Sequence, residues 1–333
     1  MDYALIFALI IAFGVFMYVA MDGFDLGVGI LFPFAGRTEE ERDTMMNTVA
    51  PVWDGNETWL VLGGAALFGA FPLAYATILP ALYLPLLIML IALIFRGVAF
   101  EFRFKTVRAK PVWSIAFAGG SMVCAFAQGV VLGAYISGFL IEARDFVGGA
   151  FDWFGMFPLF TGLAVVAGYA ALGCGWLILK TEGELQDRCF RIMPGLIAVL
   201  LLAIVVVSIW TPFVEPRIAT RWFSLPNLFL LAPVPLAVGL CGLALARAIR
   251  LRREVQPFML TLALFALSFI GLGISLWPVV VPPDITIWDA AAPDESLAFL
   301  LVGVAILIPV ILTYTAYTYY VFRGKVKAGE GYH

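Results

Sequence analysis

The chain has 333 residues, of which 63% are hydrophobic and 13% are charged, and its formal net charge is −3. Soluble domains have roughly 45 to 50% apolar and about 25% charged residues, so this composition excludes an ordinary water-soluble fold. The apolar residues fall into runs of about 20, the length at which an α-helix crosses roughly 30 Å of hydrocarbon. The sequence therefore predicts an all-α polytopic membrane protein.

Hydropathy predicts nine membrane-spanning helices in a single integral membrane domain that covers residues 1–333. The first run lacks a basic leader and continues past any small-residue cleavage site, so it is expected to be a span and not a signal peptide. The second and third spans are expected to be joined by a tight turn around Pro80. The predicted spans are residues 4–33, 58–77, 79–102, 112–141, 155–179, 193–213, 226–246, 257–280 and 297–321.

The distribution of Lys and Arg tests this count, because positive residues collect on the cytoplasmic side of membrane proteins. Seventeen of the 20 lie near the ends of odd-numbered predicted spans or in the C-terminal tail, and the other side has only Arg144, Arg217 and Arg221. An even number of spans would break this alternation. The N-terminus is therefore predicted to lie outside and the C-terminus in the cytoplasm.

Three polar clusters interrupt the apolar pattern toward the cytoplasmic ends of the first three spans. They are MDGFDLGVG at 21–29, PVWDGNETW at 51–59 and FRGVAFEFR at 95–103. A carboxylate at the centre of a membrane helix costs roughly 2.5 to 3.5 kcal/mol on insertion, so such residues usually face a partner, a cavity or water. Their similar depth predicts one shared polar layer. The residues concerned are Asp22, Asp25, Trp53, Asp54, Glu57, Arg96, Glu101 and Arg103.

Both a structural and a functional interpretation of these residues stay open. Asp22 and Asp25 share a helix face and could pair with Arg96, while Asp54 could cap the second helix with Glu57 at its third position. Trp53 could belong to an interfacial aromatic belt. The functional interpretation is a proton route from the cytoplasm, since a carboxyl group in a low-dielectric site can bind and release protons near neutral pH.

The distribution of metal-ligating residues argues against a cofactor in this chain. The only histidine is His333, the last residue, so no predicted span offers an imidazole for haem iron or another transition metal. The four cysteines form no CxxC pair and are expected to be core residues. No P-loop or dinucleotide-binding motif is present, and no nucleic-acid partner is expected. Any redox cofactors are expected in a partner subunit.

Five motifs, taken in order along nearly the whole chain, are similar to one known family. They are MDGFDLGVGIL, TVAPVWDGNETWLV, FRGVAFEFR, LKTEGELQDR and ITIWDAA. They resemble subunit II of cytochrome bd-type quinol oxidases, and FRGVAFEFRFK looks most like the cyanide-insensitive branch. The resemblance implies a haem-free subunit of a bacterial inner-membrane oxidase that transfers electrons from quinol to O2 and is not catalytic alone.

The same resemblance implies a fold and a set of partners. The fold is two four-helix bundles plus a peripheral helix, and haems b558, b595 and d belong to subunit I. Further expected partners are membrane lipids, quinone and a small single-helix accessory subunit. The motifs leave open whether a structural quinone or an O2 channel lies in this chain.

By resemblance, Asp54 is the acid that feeds protons along the interface with subunit I, with Trp53 packed beside it. The further proton-transfer candidates are Asp25, Asp22 and Glu57, and the polar-layer or interface candidates are Arg96, Glu101 and Arg103. Judged from the residues alone, a proton-coupled secondary transporter and a purely structural subunit stay open as alternatives.

Overall fold

The computed structural model describes residues 1–326, so Lys327 of the predicted cytoplasmic tail and the lone histidine, His333, lie outside the described residues. This part of the chain is mainly helical. The helices are α1 (Tyr3–Ala35), α2 (Glu39–Asn47), α3 (Trp53–Ala70), α4 (Pro72–Lys105), α5 (Lys110–Ser137), α6 (Met156–Lys180), α7 (Gly183–Val214), α8 (Pro216–Phe223), α9 (Asn227–Leu231), α10 (Pro233–Arg250), α11 (Gln256–Leu276), α12 (Ile287–Ala290) and α13 (Asp294–Val321).

Eight helical segments in the described part of the chain are long and apolar enough to cross a membrane, and together they indicate a multi-pass membrane protein. They are α1, α4, α5, α6, α7, the α9–α10 segment, α11 and α13. The remaining predicted span corresponds to α3, which has 18 residues and begins with the polar sequence WDGNET. A ninth crossing by α3 therefore stays a prediction.

The turn between the second and third predicted spans lies at Phe71, so the expected turn around Pro80 is wrong. α3 ends at Ala70, and α4 continues from Pro72 through Pro80 to Lys105. Pro72 occupies a position at the start of the helix where the missing N–H removes no intrahelical hydrogen bond. Pro80 is accommodated inside the helix because neighbouring groups in a membrane bundle can satisfy the freed backbone carbonyl.

Two predicted spans end earlier than hydropathy indicates, because the chain turns into short hairpins. β1 (Ile141–Glu142) pairs with β2 (Asp145–Phe146) after α5, and β3 (Val279–Val281) pairs with β4 (Ile285–Thr286) after α11. The hydroxyl of Tyr135 on α5 donates to the carbonyl of Val280 at 2.7 Å. The second hairpin is thereby attached to the end of α5 on the predicted outer side.

α1 lies at the centre of the helical assembly, in contact with α3, α5 and α6. Its closest approach is to α6. A Cβ atom on Gly27 would lie 1.9 Å from the carbonyl oxygen of Tyr169, and one on Gly173 would lie 2.3 Å from the carbonyl carbon of Gly27. Glycine is required on both helices where the backbones touch. This contact fixes the depth of the half of α1 that carries Asp22 and Asp25.

The remaining helices extend outward from this centre. α6 also packs against α7 and α11, and α11 packs against α10. α13 lies at an edge against α3 and α1, and the residues it buries are Leu297 and Thr315. The division into two four-helix bundles and a peripheral helix stays a prediction.

The C-terminal end of α13, on the predicted cytoplasmic side, is anchored to α6. The Lys180 ammonium donates to the carbonyl oxygens of Phe322 and Gly324, the latter at 2.9 Å, and the backbone N–H of Val326 donates to the Lys180 carbonyl at 2.9 Å. These bonds place the last turns of α13 beside the starts of α3 and the polar half of α1.

Candidate functional site

A fully buried arginine on α4 collects carboxylates from two other helices. The Arg96 side chain has no exposed surface, and its Nη1 lies 2.8 Å from Asp22 on α1 and 2.8 Å from Glu57 on α3. Its Nη2 lies 3.7 Å from Asp25, also on α1. Asp22 and Asp25 face the same arginine because residues three apart share a helix face. We call these four residues the Arg96 cluster.

Close helix packing determines where Arg96 lies. A Cβ atom on Gly120 of α5 would lie 2.7 Å from the Ala92 carbonyl oxygen and 3.1 Å from the Arg96 backbone nitrogen. α4 and α5 therefore approach each other closely within one turn of Arg96. The arginine is directed away from lipid and toward α1.

A chain of hydrogen bonds joins the cluster to α13. The Asn56 amide donates to Asp25 Oδ2 at 2.7 Å, and the Tyr319 hydroxyl donates to the Asn56 carbonyl oxygen at 2.9 Å. Asn56 is buried. The amide lets Asn56 serve as donor to the acid and acceptor from the phenol at the same time.

A second chain of polar groups lies one helical turn toward the predicted outer side. The Gln128 amide on α5 donates to the Tyr18 hydroxyl at 2.7 Å, and the Tyr169 hydroxyl on α6 donates to the Gln128 carbonyl oxygen at 2.7 Å. Tyr18 precedes Asp22 by four residues on α1, which places the two on the same helix face. Polar groups thus continue from the Arg96 cluster into the centre of the bundle.

The charges of the Arg96 cluster do not balance. Three carboxyl groups surround one guanidinium, and both aspartates have no exposed surface. Among described residues, Asp22 Oδ2 and Asp25 Oδ1 make no hydrogen bond to protein. Removing a charged group from water costs several kcal/mol in desolvation free energy, even when the group has one partner of opposite charge. Such an arrangement can bind a proton or another positive species with little reorganisation.

Arg103 on α4, although predicted as part of the same layer, belongs to a separate network. Its side chain is fully buried and pairs with Asp43 and, at 3.0 Å, with Glu39, both on α2. Its Nε donates to the Ser114 hydroxyl at 2.9 Å, and Lys110 lies 2.9 Å from Asp43. These residues, the Arg103 network, connect α2 to the α4–α5 turn at the predicted cytoplasmic surface.

The remaining predicted site residues lie outside the Arg96 cluster. Asp54 is exposed on the first turn of α3, and Glu101 is exposed and pairs with Lys105 at 2.8 Å. The Trp53 ring stacks on Phe100 with centroids 4.9 Å apart. The structure thus brings together four of the predicted residues, while Asp54, Glu101 and Arg103 do not join the predicted single layer.

The capping interpretation of α3 is wrong. The helix begins at Trp53, its N-cap is Val52, and no side chain among residues 1–326 caps it. Asp54 therefore lies inside the first turn, and Glu57 points to Arg96 instead of closing a capping box.

The sequence interpretation missed three residues of the site. Asn56 lies inside the WDGNET motif but carries no charge, Gln128 is an amide within an apolar span, and Tyr319 is far away in sequence. An uncharged amide within a span is a usable signal, since a polar group in hydrocarbon needs a partner. Nothing local to Tyr319 distinguishes it from the neighbouring tyrosines of α13.

Comparisons of the sequence with known proteins find one family. A family model described as cytochrome bd terminal oxidase subunit II matches residues 3–322. The cytochrome bd ubiquinol oxidase subunit 2 of Bacillus subtilis strain 168 is 31% identical over 319 residues, covering 93% of each chain. The cytochrome bd-I ubiquinol oxidase subunit 2 of Escherichia coli K12 is 28% identical over 345 residues, covering 93% of this chain and 91% of that protein.

A solved structure is similar in fold. A chain in the structure of bd oxidase from Geobacillus thermodenitrificans matches with a TM-score of 0.77 and 17% sequence identity. The match covers 98% of this chain and 100% of the other. The helical architecture is therefore shared over the whole of that chain.

Proposed function

Because the match extends over residues 3–322, the chain belongs to the cytochrome bd terminal oxidase subunit II family, and we propose that it is the haem-free subunit of a quinol oxidase. The curated relatives are named as subunits of ubiquinol oxidases, which supports a role in an oxidoreductase complex. In this proposal the complex transfers electrons from quinol to O2, forming water. The chain works in a bacterial inner membrane, and its likeness to cyanide-insensitive members stays a prediction.

We assign the redox cofactors to a partner subunit. Haem iron is most often held by histidine, and this chain has no histidine within its predicted spans, since its single histidine is His333. The described residues also contain no cluster of three or more His, Cys, Asp or Glu that could hold a metal ion. The chain contributes by stabilising subunit I and by supplying polar groups at depth in the membrane.

The proposed specific contribution is proton uptake from the cytoplasm through the Arg96 cluster. The observation that carries this proposal is the charge imbalance: three carboxyl groups meet one guanidinium at a site without exposed surface on either aspartate. A proton that binds there reduces the excess negative charge, and its release restores it. Asp54, exposed on the first turn of α3, is proposed to act at the surface where subunit I docks.

A purely structural role is the second candidate, and the short Arg96 bonds favour it. Both 2.8 Å contacts, to Asp22 and to Glu57, are ordinary charge-assisted hydrogen bonds that hold α1, α3 and α4 together. The two candidates differ in what neutralising one acid does. A structural cluster loses stability, whereas a proton route loses turnover in a complex that still assembles.

The test is Asp25→Asn in the complete oxidase. Asp25 makes the longest of the three Arg96 contacts, 3.7 Å, so its replacement by the similarly shaped asparagine disturbs the contacts of Arg96 least. We expect quinol oxidase turnover and proton uptake to fall about 100-fold or more, since a positioned proton-transfer group contributes typically about 10²- to 10⁴-fold, with haem content unchanged. Asp54→Asn is expected to lower both rates as well.

Glu101→Gln is the matched control, since Glu101 is an exposed acid on the neighbouring helix that pairs with Lys105. Its turnover should equal that of the parent enzyme. If Asp25→Asn assembles with full haem content and takes up protons at the parent rate, the cluster is structural.

A further inference from the structure

A cleft lies between the start of α3 and the last turns of α13. Its cavity volume is about 10 Å³, roughly the space that a single water molecule needs. The lining residues used below are Gly55, Asn56, Tyr314, Thr315, Thr318 and Tyr319. Both of its walls are at the predicted cytoplasmic side, because α3 begins and α13 ends there.

The hydroxyl of Thr315 has an unusual environment in this cleft. Thr315 is 9% exposed, and its hydroxyl makes no hydrogen bond to any described protein group. Other threonines of α13 donate to the carbonyl one turn earlier: Thr313 to Pro309 at 2.7 Å and Thr318 to Tyr314 at 3.0 Å. A buried polar group that neither the backbone nor a side chain satisfies is typically bonded to ordered water.

The inner wall of the cleft is one amide away from the Arg96 cluster. Asn56 lines the cleft and donates to Asp25 at 2.7 Å, while Tyr319 lines it and donates to Asn56 at 2.9 Å. Asp25 itself has no exposed surface. Water held at Thr315 would therefore be separated from the acid by the Asn56 side chain alone.

We propose that this cleft binds water and is the port through which Asp25 exchanges protons with the cytoplasm. The proposal rests on the proton-uptake function above and places its cytoplasmic opening within this chain, on the α13 side of α3. In each exchange the Asn56 side chain rotates aside, a hydronium ion in the cleft gives its proton to the Asp25 carboxylate, which becomes a neutral carboxyl group, and a water molecule remains. Asn56 and Tyr319 are positioning residues. Their hydrogen bonds orient the groups between the cleft and Asp25, and neither side chain carries a net charge.

The first test removes the water-binding hydroxyl with little change in volume. Thr315→Val in the complete oxidase is expected to slow proton uptake about 3- to 10-fold, the equivalent of one hydrogen bond, with haem content and thermal stability unchanged. Thr313→Val is the matched control, since Thr313 is exposed on the same helix and is not among the residues that line the cleft. Equal uptake rates in the two variants would contradict a water site at Thr315.

The second test blocks the cleft. Thr318→Cys is treated with a charged, membrane-impermeant methanethiosulfonate reagent in vesicles that expose the cytoplasmic face, and Thr313→Cys is treated in parallel. The four native cysteines are buried or half-buried, so the treated parent enzyme supplies the baseline. We expect the thiol at position 318 to react and proton uptake to slow severalfold, with no slowing at position 313.

The outcomes separate this inference from the function on which it rests. If Thr318→Cys does not react, or reacts without slowing uptake, while Asp25→Asn still impairs uptake, the port lies elsewhere and the proposed function stands. If Asp25→Asn leaves uptake unchanged, the proposed function itself fails.

Discussion

Arg96 and Arg103 lie seven residues apart on α4, and both side chains are fully buried, yet their surroundings differ in charge and in access to water. Arg103 and Lys110 face Asp43 and Glu39, so two positive groups meet two negative ones. Arg96 alone faces three acids. The carboxylates of the Arg103 network are 33% and 54% exposed, whereas both aspartates at Arg96 are at most 1% exposed.

The differences in charge balance and in solvent access indicate that the two buried guanidinium groups have different roles. A balanced network with solvated partners fastens α2 to the turn between α4 and α5, and its acids can turn to water when a partner is lost. The two aspartates of the unbalanced cluster have no such access to solvent and cannot relax in this way, so their protonation is linked to stability. The predictions below test this contrast.

The largest effect is expected from removing the guanidinium at each site. Arg96→Met leaves two aspartates buried without a counter-ion, and breaking a buried pair in this way typically costs about 3 to 5 kcal/mol. We expect the oxidase complex to be lost from membranes. Arg103→Met is expected to reduce the yield only moderately, because Asp43 and Glu39 keep water contact. The haem content of the membranes, normalised to total membrane protein, measures the loss of complex in both variants. An equal loss in the two variants would contradict the contrast.

Gly120 packs beside Arg96 only, so a substitution there disturbs one of the two arginine sites. Gly120→Ala places a Cβ atom 2.7 Å from the Ala92 carbonyl oxygen, a backbone atom that cannot move aside easily. Overpacking of this kind costs typically about 1 to 3 kcal/mol. We expect a lower melting temperature of the complex and weaker proton uptake, since Arg96 shifts with its helix.

The adjacent glycine is the control for this prediction. A Cβ atom on Gly119 would meet no atom within 4 Å, so Gly119→Ala should leave both quantities unchanged or raise stability slightly through helix propensity. Matching losses in the two alanine variants would mean that backbone freedom, and not contact with α4, explains the effect.

Asp43→Asn is expected to show the smaller, purely structural effect of the balanced network. The amide keeps a hydrogen bond to Arg103 but removes one charge from a partly exposed group, so we expect a stability loss of about 1 kcal/mol. Turnover per haem should stay at the parent value, in contrast to Asp25→Asn. A drop in turnover per haem would assign a kinetic role to the Arg103 network as well.

The sequence predicted the class of protein and one polar layer, but not the division of that layer into the Arg96 cluster and the Arg103 network. Composition and the placement of Lys and Arg predicted a helical membrane protein, and the spacing of Asp22 and Asp25 predicted a shared face toward Arg96. Hydropathy placed the turn at Pro80 because proline usually breaks helices in water, whereas a membrane helix continues through it. The pairing of Arg103 with α2 could not be predicted, since depth alone does not specify which helices touch. Tyr319 was missed because its partner, Asn56, is far away in sequence.

The smallest effect is expected at a third arginine, Arg188 on α7, which binds one carboxylate. Arg188 donates to Glu41 on α2 at 2.7 and 3.1 Å, and this hydrogen bonding lowers the pKa of Glu41 below its usual value of 4.5. A lowered folded-state pKa stabilises the protein above the unfolded pKa, and this contribution is lost as the pH falls through the folded value. We expect Glu41→Gln to melt below the parent near neutral pH, with the difference shrinking below about pH 4.5.

Glu40→Gln is the control for this pH dependence. Glu40 is an exposed neighbour in the first turn of the same helix, so it shares any interaction with the helix dipole but not the bond to Arg188. Its melting temperature should follow that of the parent at every pH. Because Glu41 meets a single arginine, its ionised form completes a one-to-one pair, and neutralising it should change stability without affecting turnover. A Glu41→Gln difference that stays constant from neutral to acid pH would show that packing, and not the charge of Glu41, holds α2 against α7.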